Sequence, residues 1–197
     1  MLDKNFTRLS DTAIAEIEDI CGYTYNKCLP YLQHTRTAVD VGSKKGAFAR
    51  HMCQDFDQVI MFDMRPKTQW KTLDSDRCQL YECALGNYNG QVQHSGALTN
   101  VQVPGVNITE SPIRTLDSFG FTDIDFLKID VEGDEVAVLE GAVQTLADQR
   151  PLIVIEQNHA TETYGKGRYG DALRWLEAHS YSIIDYDGMD DWILRYV

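Results

Sequence analysis

Short apolar runs alternate with amphipathic stretches through most of this chain, and that alternation restricts the fold more than any single motif. The runs "TAVDV", "QVIMF", "CQLYECAL", "IDFLKIDV" and "PLIVIEQN" are nearly continuous in apolar residues. A strand with one wet face alternates polar and apolar side chains. A strand that is apolar throughout is covered on both faces, as in parallel sheets flanked by helices. The intervening stretches have helical spacing. "GAFARHMCQDF" sets Phe48, Met52 and Phe56 on one face, "GDEVAVLEGAVQTLA" does so for Val136, Leu139, Val143 and Leu146, and "YGDALRWLEAHS" aligns Tyr169, Leu173 and Leu176. "YSIIDY" and "DWILRYV" close around Asp187-Gly188 as an antiparallel hairpin. The expected fold is α/β and doubly wound: a mostly parallel sheet to which the hairpin adds one antiparallel strand.

Two regions depart from the rhythm. Residues 10–33 read as helical, with Ser10 or Asp11 as cap, Ile14, Ile17 and Cys21 on one face, and Pro30 interrupting the pattern. Residues 87–112 read as a hairpin turning at Asn89-Gly90, between "YECALGN" and "QVQHSG", followed by an irregular loop. With 197 residues the chain suffices for one good-sized core. A single domain is expected, with residues 1–35 as a helical extension and 36–197 as the core.

No apolar stretch approaches the roughly 18–20 residues of a membrane span, and "MLDKNFTRLS" has no apolar signal region. A cytoplasmic protein that begins near Met1 is expected. The cysteines Cys21, Cys28, Cys53, Cys78 and Cys83 are odd in number and form no CxxC pair, which argues for free thiols and against a zinc site or disulfide framework. Asn5-Phe6-Thr7 and Asn107-Ile108-Thr109 match glycosylation acceptors, which a cytosolic chain does not use. A formal charge of −12 repels nucleic acid backbones, although it leaves room for a local basic patch.

In doubly wound sheets ligands sit beyond the carboxyl ends of the strands. That places the chemistry just after Val41, Phe62, Glu82, Ile129 and Ile155. The first of these ends carries "VDVGSKKGAF", whose glycines and lysines suggest a phosphate cradle. The spacing argues otherwise. A P-loop needs Lys and Ser or Thr directly after its last glycine, and here Ala47 and Phe48 follow Gly46. A dinucleotide loop needs G-x-G-x-x-G, which Ser43-Lys44 does not supply. What remains is D-x-G-x-x-x-G. Gly42 permits close backbone approach, Gly46 lets the helix start pack on the strand, and Asp40 suits a cationic ligand better than pyrophosphate. Asp63 ends the second strand and can accept both hydroxyls of a ribose, with Met64 beside it for an adenine face. A ribose with a cationic, zwitterionic tail describes S-adenosylmethionine.

At "FLKIDVEGDEVAVLEGA", residues 126–142, the sequence resembles the FkbM-type family of S-adenosylmethionine-dependent methyltransferases. "VDVGSKKGAFA", "FDMRP", "ECALGNYNG", "IRTLDSFG" and "IVIEQN" fall in that family's order, over about residues 37–160. The resemblance implies a class I, Rossmann-like methyltransferase fold with a seven-stranded sheet. It also implies methyl transfer to a hydroxyl of a sugar, glycan or small natural-product-like acceptor. Asp40, Val41, Gly42, Ser43 and Gly46 would form the methionine-side loop, Asp63 would bind ribose beside Met64, Cys83 and Ala84 would border the adenine, and Asp130 would end the fourth strand near the sulfonium and the acceptor. Three positions depart from the family pattern: Ser43-Lys44-Lys45 replace small or apolar residues, Asp63 stands for Glu, and His159 lies one step beyond the usual histidine position, at Asn158.

Methyl transfer needs in-line alignment, exclusion of water and, for a hydroxyl, a positioned base. Asp130, Glu156 and His159 are the candidates. Asp130, Glu156 and Asn158 also form a conceivable oxygen set for magnesium, but no metal is expected. Selectivity would come from the amino-terminal helix, residues 95–112 and "NHATETYGKGRYG", with His159, Tyr164, Lys166 and Arg168. No nucleic acid or membrane partner is expected, and a homodimer is left open. The competing readings are a catalytically silent module that keeps the cofactor fold, and a nicotinamide oxidoreductase that the missing G-x-G-x-x-G disfavours.

Overall fold

The computed structural model describes residues 11–65, 73 and 76–197, with side chains from Ile20 onward among them. The Ser10 cap and the Asn5 triplet lie outside the described residues, and the Ile14 and Ile17 face lies outside the described side chains. The elements are α1 (Asp11–Cys28), β1 (Thr37–Val41), α2 (Ala47–Asp55), β2 (Gln58–Phe62), β3 (Cys78–Tyr81), β4 (Ala84–Leu85), β5 (Gly90–Ser95), β6 (Leu98–Thr99), β7 (Ile108–Arg114), β8 (Ile124–Ile129), α3 (Glu135–Glu140), α4 (Val143–Gln149), β9 (Leu152–Glu156), α5 (Ala160–Thr163), α6 (Asp171–Ala178), β10 (Tyr181–Tyr186) and β11 (Asp191–Tyr196). Pro30 ends the first helix as expected, inside a 3-10 turn over Leu29–Tyr31.

The main sheet has seven strands in the order β10-β11-β9-β8-β1-β2-β3. Strands β9, β8, β1, β2 and β3 are parallel. Strand β11 runs antiparallel to both β9 and β10, which forms the expected terminal hairpin. Alternate residues feed two separate cores. Val39, Val41, Ile60, Phe62, Leu127 and Ile129 pack with Leu139 and Leu176 from α3 and α6. Ala38, Val59, Met61 and Phe126 pack with Phe48 and Met52 from α2, with Phe56 just after it, and with Tyr25 from α1. Burial on both sides is why these strands read as apolar without alternation. This is the expected doubly wound α/β architecture, a mostly parallel sheet with one antiparallel strand from the terminal hairpin.

Four local expectations change. The run "CQLYECAL" is not one strand: β3 ends at Tyr81, and Ala84–Leu85 joins a second sheet in the order β4-β7-β5-β6. Asn89-Gly90 does not close a hairpin, because β5 pairs with β7 and β6 while the Asn89 side chain accepts from Thr115 N at 3.0 Å. The stretch expected to be an irregular loop contains β7, whose polar sequence "ITESPIR" and internal Pro112 hid it. The helix expected over residues 133–147 breaks at Gly141. A Cβ there would stand 2.0 Å from the Gly86 carbonyl oxygen. The Asp117 carboxylate then accepts from Gln144 N and Thr145 N, both at 2.9 Å, and starts α4 afresh. Val143 consequently faces solvent instead of the core.

The cysteines need one correction as well. Cys21, Cys28 and Cys83 are free, but Cys53 at the end of α2 is joined to Cys78 at the start of β3. The two meet only because β3 pairs with β2, on which α2 packs, which spacing in the sequence cannot show. Among the described residues no helix is long and apolar enough to cross a membrane.

Candidate active site

The carboxyl end of β1 turns sharply. Gly42 N and Ser43 N both donate to Phe62 O, at 2.9 and 3.1 Å, which ties the loop to the end of β2. Gly42 adopts φ +81, and a Cβ on it would lie 1.8 Å from Asp130 O. Only glycine fits, so its backbone forms the floor of a cleft instead of being covered by a side chain. Gly46, at φ +74, caps α2 and donates to Ser43 O at 2.6 Å.

The cleft, about 510 Å³ and open to solvent, lies across the carboxyl ends of β1, β2 and β8. Val41, Gly42 and Lys44 line its floor, Phe62, Asp63 and Met64 one wall, and Cys83, Ala84 and Leu85 the apolar end. Asp130, Val131, Glu132 and Asp134 close the other side, and Ala97 and Thr99 reach over it from the β5–β6 hairpin. The Asp63 carboxylate accepts from Lys44 N at 2.9 Å and from Arg65 N at 2.7 Å. These bonds fix its orientation at the rim of the cleft. They also show that Asp63 organises the loop, so its removal would disturb local structure as well as binding. Opposite, Lys166 Nζ donates to Asp134 Oδ2 at 2.5 Å and to Thr99 Oγ1 at 3.2 Å, and Thr99 also donates to Asp134. One lysine thus joins the 157–168 loop, the hairpin and the start of α3.

Beneath α1 and α2 a polar row crosses the sheet. Asp40 on β1 is in register with Lys128 on β8. Asp130 follows on the same face, and Glu156 on β9 is in register with Asp191 on β11. Lys128 Nζ lies 3.0 Å from Asp130 Oδ2 and 3.9 Å from Asp40 Oδ1. Burial would raise the Asp130 pKa, but Lys128 and then Lys44 override it and hold Asp130 ionised below the usual carboxylate range. Glu156 goes the other way: burial first, then the Asp130 charge, push its carboxyl well above the usual range. The two carboxyls therefore divide one charge and one proton between them at neutral pH. Burial also raises Asp40 and Asp191, each to about 6.

Residues 31–183 match the model of the methyltransferase FkbM domain. This chain belongs to the FkbM methyltransferase family. Solved structures agree on the fold. The methyltransferase FkbM from Methylobacillus flagellatus KT superposes with a TM-score of 0.57 at 18% identity, covering 82% of this chain and 44% of that one. The N,N-8-amino-8-demethyl-D-riboflavin dimethyltransferase RosA from Streptomyces davawensis gives 0.55 at 13% identity, over 95% of this chain and 57% of that one. The precorrin 8W decarboxylase from Methanobacterium thermoautotrophicum gives 0.55 at 16% identity, over 99% and 96%. The FkbM chain therefore spans about half the length of the first two. No curated protein matches its sequence.

Of the residues expected at the site of this FkbM protein, Val41, Gly42, Asp63, Met64, Cys83, Ala84 and Asp130 converge on one cleft. Asp40, Ser43 and Gly46 stand behind it: Asp40 and Ser43 are buried, and Gly46 begins α2. Glu156 reaches the cleft only through Asp130. His159 is not brought there; it is exposed, 3.2 Å from Glu162 and stacked on Tyr169. In the conceivable oxygen set Asp130 and Glu156 meet, but the Asn158 oxygen is turned away from them. Asn158 donates its amide nitrogen to Glu156 at 2.8 Å and accepts from Ala160 N at 2.8 Å. Among the described residues no group of three or more His, Cys, Asp or Glu is arranged to hold a metal. Sequence reasoning missed Lys128, although a lone charge inside the apolar run "FLKIDV" is itself a signal. Lys44 lines the cleft with Nζ 3.1 Å from Glu132 and 3.8 Å from Asp130.

The Glu156 proton has a measurable consequence. A carboxyl whose pKa is raised by folding stabilises the fold while it is protonated, below its unfolded value. That contribution is lost as pH rises toward the folded value. Asp40 and Asp191 act in the same direction up to about 6. Glu156→Gln keeps the shape and removes the titration. Thermal unfolding should show parent and variant close at pH 5, with the variant increasingly favoured by pH 8, by at most about 1.4 kcal/mol per pH unit. A gap that does not change with pH would mean that Glu156 is already ionised.

Proposed function

We infer that this protein transfers a methyl group from S-adenosylmethionine to a hydroxyl of a sugar, glycan or small natural-product-like acceptor. The observation that carries the reading is a cleft with a backbone floor at Gly42 and an acid on either side. Asp63, fixed by two backbone N–H groups, suits a ribose diol. Met64 and the Cys83–Leu85 end suit a flat purine. Asp130, ionised against burial, suits the cationic end of the molecule. S-adenosylmethionine supplies an electrophilic methyl on a positive sulfur. The chain's part is to hold that charge beside Asp130, to exclude water, and to hold the acceptor in line. Asp130 and Glu156 together can also take up the proton that a hydroxyl releases, directly or through one another.

RosA methylates an amine, so an amine acceptor belongs in the same screen. A second reading rests on Lys44, whose ammonium already stands between Asp130 and Glu132 where a cofactor cation would go. This favours a silent binding module, which would bind cofactor without turnover on any of a broad panel of hydroxyl and amine acceptors.

Calorimetry tests the first step. S-adenosylhomocysteine should bind and NAD should not, because the loop lacks the glycines that admit a pyrophosphate. Tight NAD binding with no response to S-adenosylhomocysteine would overturn the reading.

A further inference from the structure

A second cleft lies at the opposite edge of the sheet, by the amino ends of β8 and β9, about 16 Å along β8 from Asp130 at ~3.3 Å per residue. It is an open cleft of about 730 Å³, counting the solvent at its mouth. In a chain of formal charge −12 its lining is unusual: Arg36, Arg150, Arg195 and His34 stand against a single carboxylate, Asp125. That carboxylate is already used. Arg36 grips it with Nε at 3.0 Å and Nη2 at 2.5 Å, and also reaches Asp123. Arg150 and Arg195 have no carboxylate partner among the described residues.

Both guanidinium groups are nevertheless held in place. Arg150 Cζ lies 4.4 Å over the Tyr196 ring, and Arg195 Cζ lies 5.6 Å over Tyr31. Arg195 spends one donor on Tyr31 O, at 3.0 Å, and Arg150 one on Ala147 O, at 3.4 Å. Most donors on each fork stay unbonded. Arg150 also has φ +51 at the carboxyl cap of α4, a position where glycine is the ordinary choice. A cation for the helix dipole could sit one residue earlier with no backbone cost. Strain retained at an arginine that stacks over a cleft points to a use for its fork.

We propose that this cleft binds a compact phosphate-bearing anion across Arg150 and Arg195. Guanidinium forks match phosphate oxygens, and stacking reduces the ordering they must undergo on binding. The ligand is small because the excess of positive charge is confined to the cleft. An extended polyanion would run onto the acidic surface around it and be repelled.

The test titrates the full chain with inorganic pyrophosphate, followed by calorimetry at low and at physiological salt. One saturable site that weakens with salt is expected. Arg150→Gln with Arg195→Gln should weaken it at least about tenfold, while Arg174→Gln, on the solvent face of α6, should leave it unchanged. Arg150→Gly separates binding from folding. Glycine relieves the positive φ, so the melting temperature should hold or rise while pyrophosphate affinity falls. A DNA duplex should not displace pyrophosphate. Absence of saturable binding, undiminished affinity in the double variant or in a folded Arg150→Gly chain, or displacement by duplex DNA would each overturn the proposal.

Discussion

Gly42→Ala should cost the chain at least about 3 kcal/mol of stability, or about 6–12 °C in melting temperature. Two independent penalties meet at this residue. The backbone stands at φ +81, where a Cβ costs roughly 1–2 kcal/mol by itself. That Cβ would also fall 1.8 Å from Asp130 O and 2.8 Å from Asp130 C. Neither atom can move away, because Asp130 N donates to Val41 O at 3.0 Å and Gly42 N to Phe62 O at 2.9 Å. The clash therefore acts on three central strands at once. Gly188→Ala is the control: it shares a positive φ, at +95, but its Cβ meets nothing within 4 Å. Thermal unfolding of both variants separates strain from collision. A Gly42→Ala chain that melts within a degree or two of the Gly188→Ala chain would show that the strands do not approach so closely.

Asp130→Asn should weaken S-adenosylmethionine binding by about 10–100-fold, with a clearly smaller effect on S-adenosylhomocysteine. The variant keeps size and much of the hydrogen bonding but removes the nearest counter-ion of Lys128, leaving Asp40 at 3.9 Å and the more distant Asp191. The cleft then becomes more positive where a sulfonium must sit. Homocysteine sulfur is neutral and feels less of that change. Calorimetry with both ligands gives the ratio before any acceptor is known. Once one is known, turnover should fall by a large factor, and chelators should leave the parent enzyme unaffected. Equal losses for the two ligands, or none, would reduce Asp130 to a strand-end acid with no electrostatic part in binding.

The sequence disclosed most clearly what depends on burial and least what depends on contacts distant in the chain. Strands β1 and β2 were legible to the residue, because both of their faces are dry at every position after the exposed Gln58 that starts β2. The cleft residues that belong to strand ends were legible for the same reason: Gly42, Asp63 and Asp130 each interrupt an apolar run where the sheet stops. The second sheet was not, since its strands are short, polar or interrupted by Pro112, and they fold only by pairing with one another. The break at Gly141 depends on Gly86 and Asp117, neither of which periodicity sees. His159 looked well placed because it follows β9, but the chain turns into α5 there and carries the ring away to Tyr169. Lys128 was hidden within the family block "LKIDVEG", although its register with Asp40 is what makes it central.

That register has a consequence for how the molecule comes into being. Strand β1 pairs locally with β2, but its other neighbour, β8, begins with Ile124 opposite Thr37, 87 positions further along the chain. A nascent chain cannot close its middle ladder until β8 has been made, and the entropy of closing so long a loop makes that step slow. The Gly42–Asp130 contact belongs to the same closure, so an amino-terminal fragment ending before β8 has neither the ladder nor the cleft. Ligand recognition and the completed topology are thus born in one event, and a truncated product of translation has no partly working form.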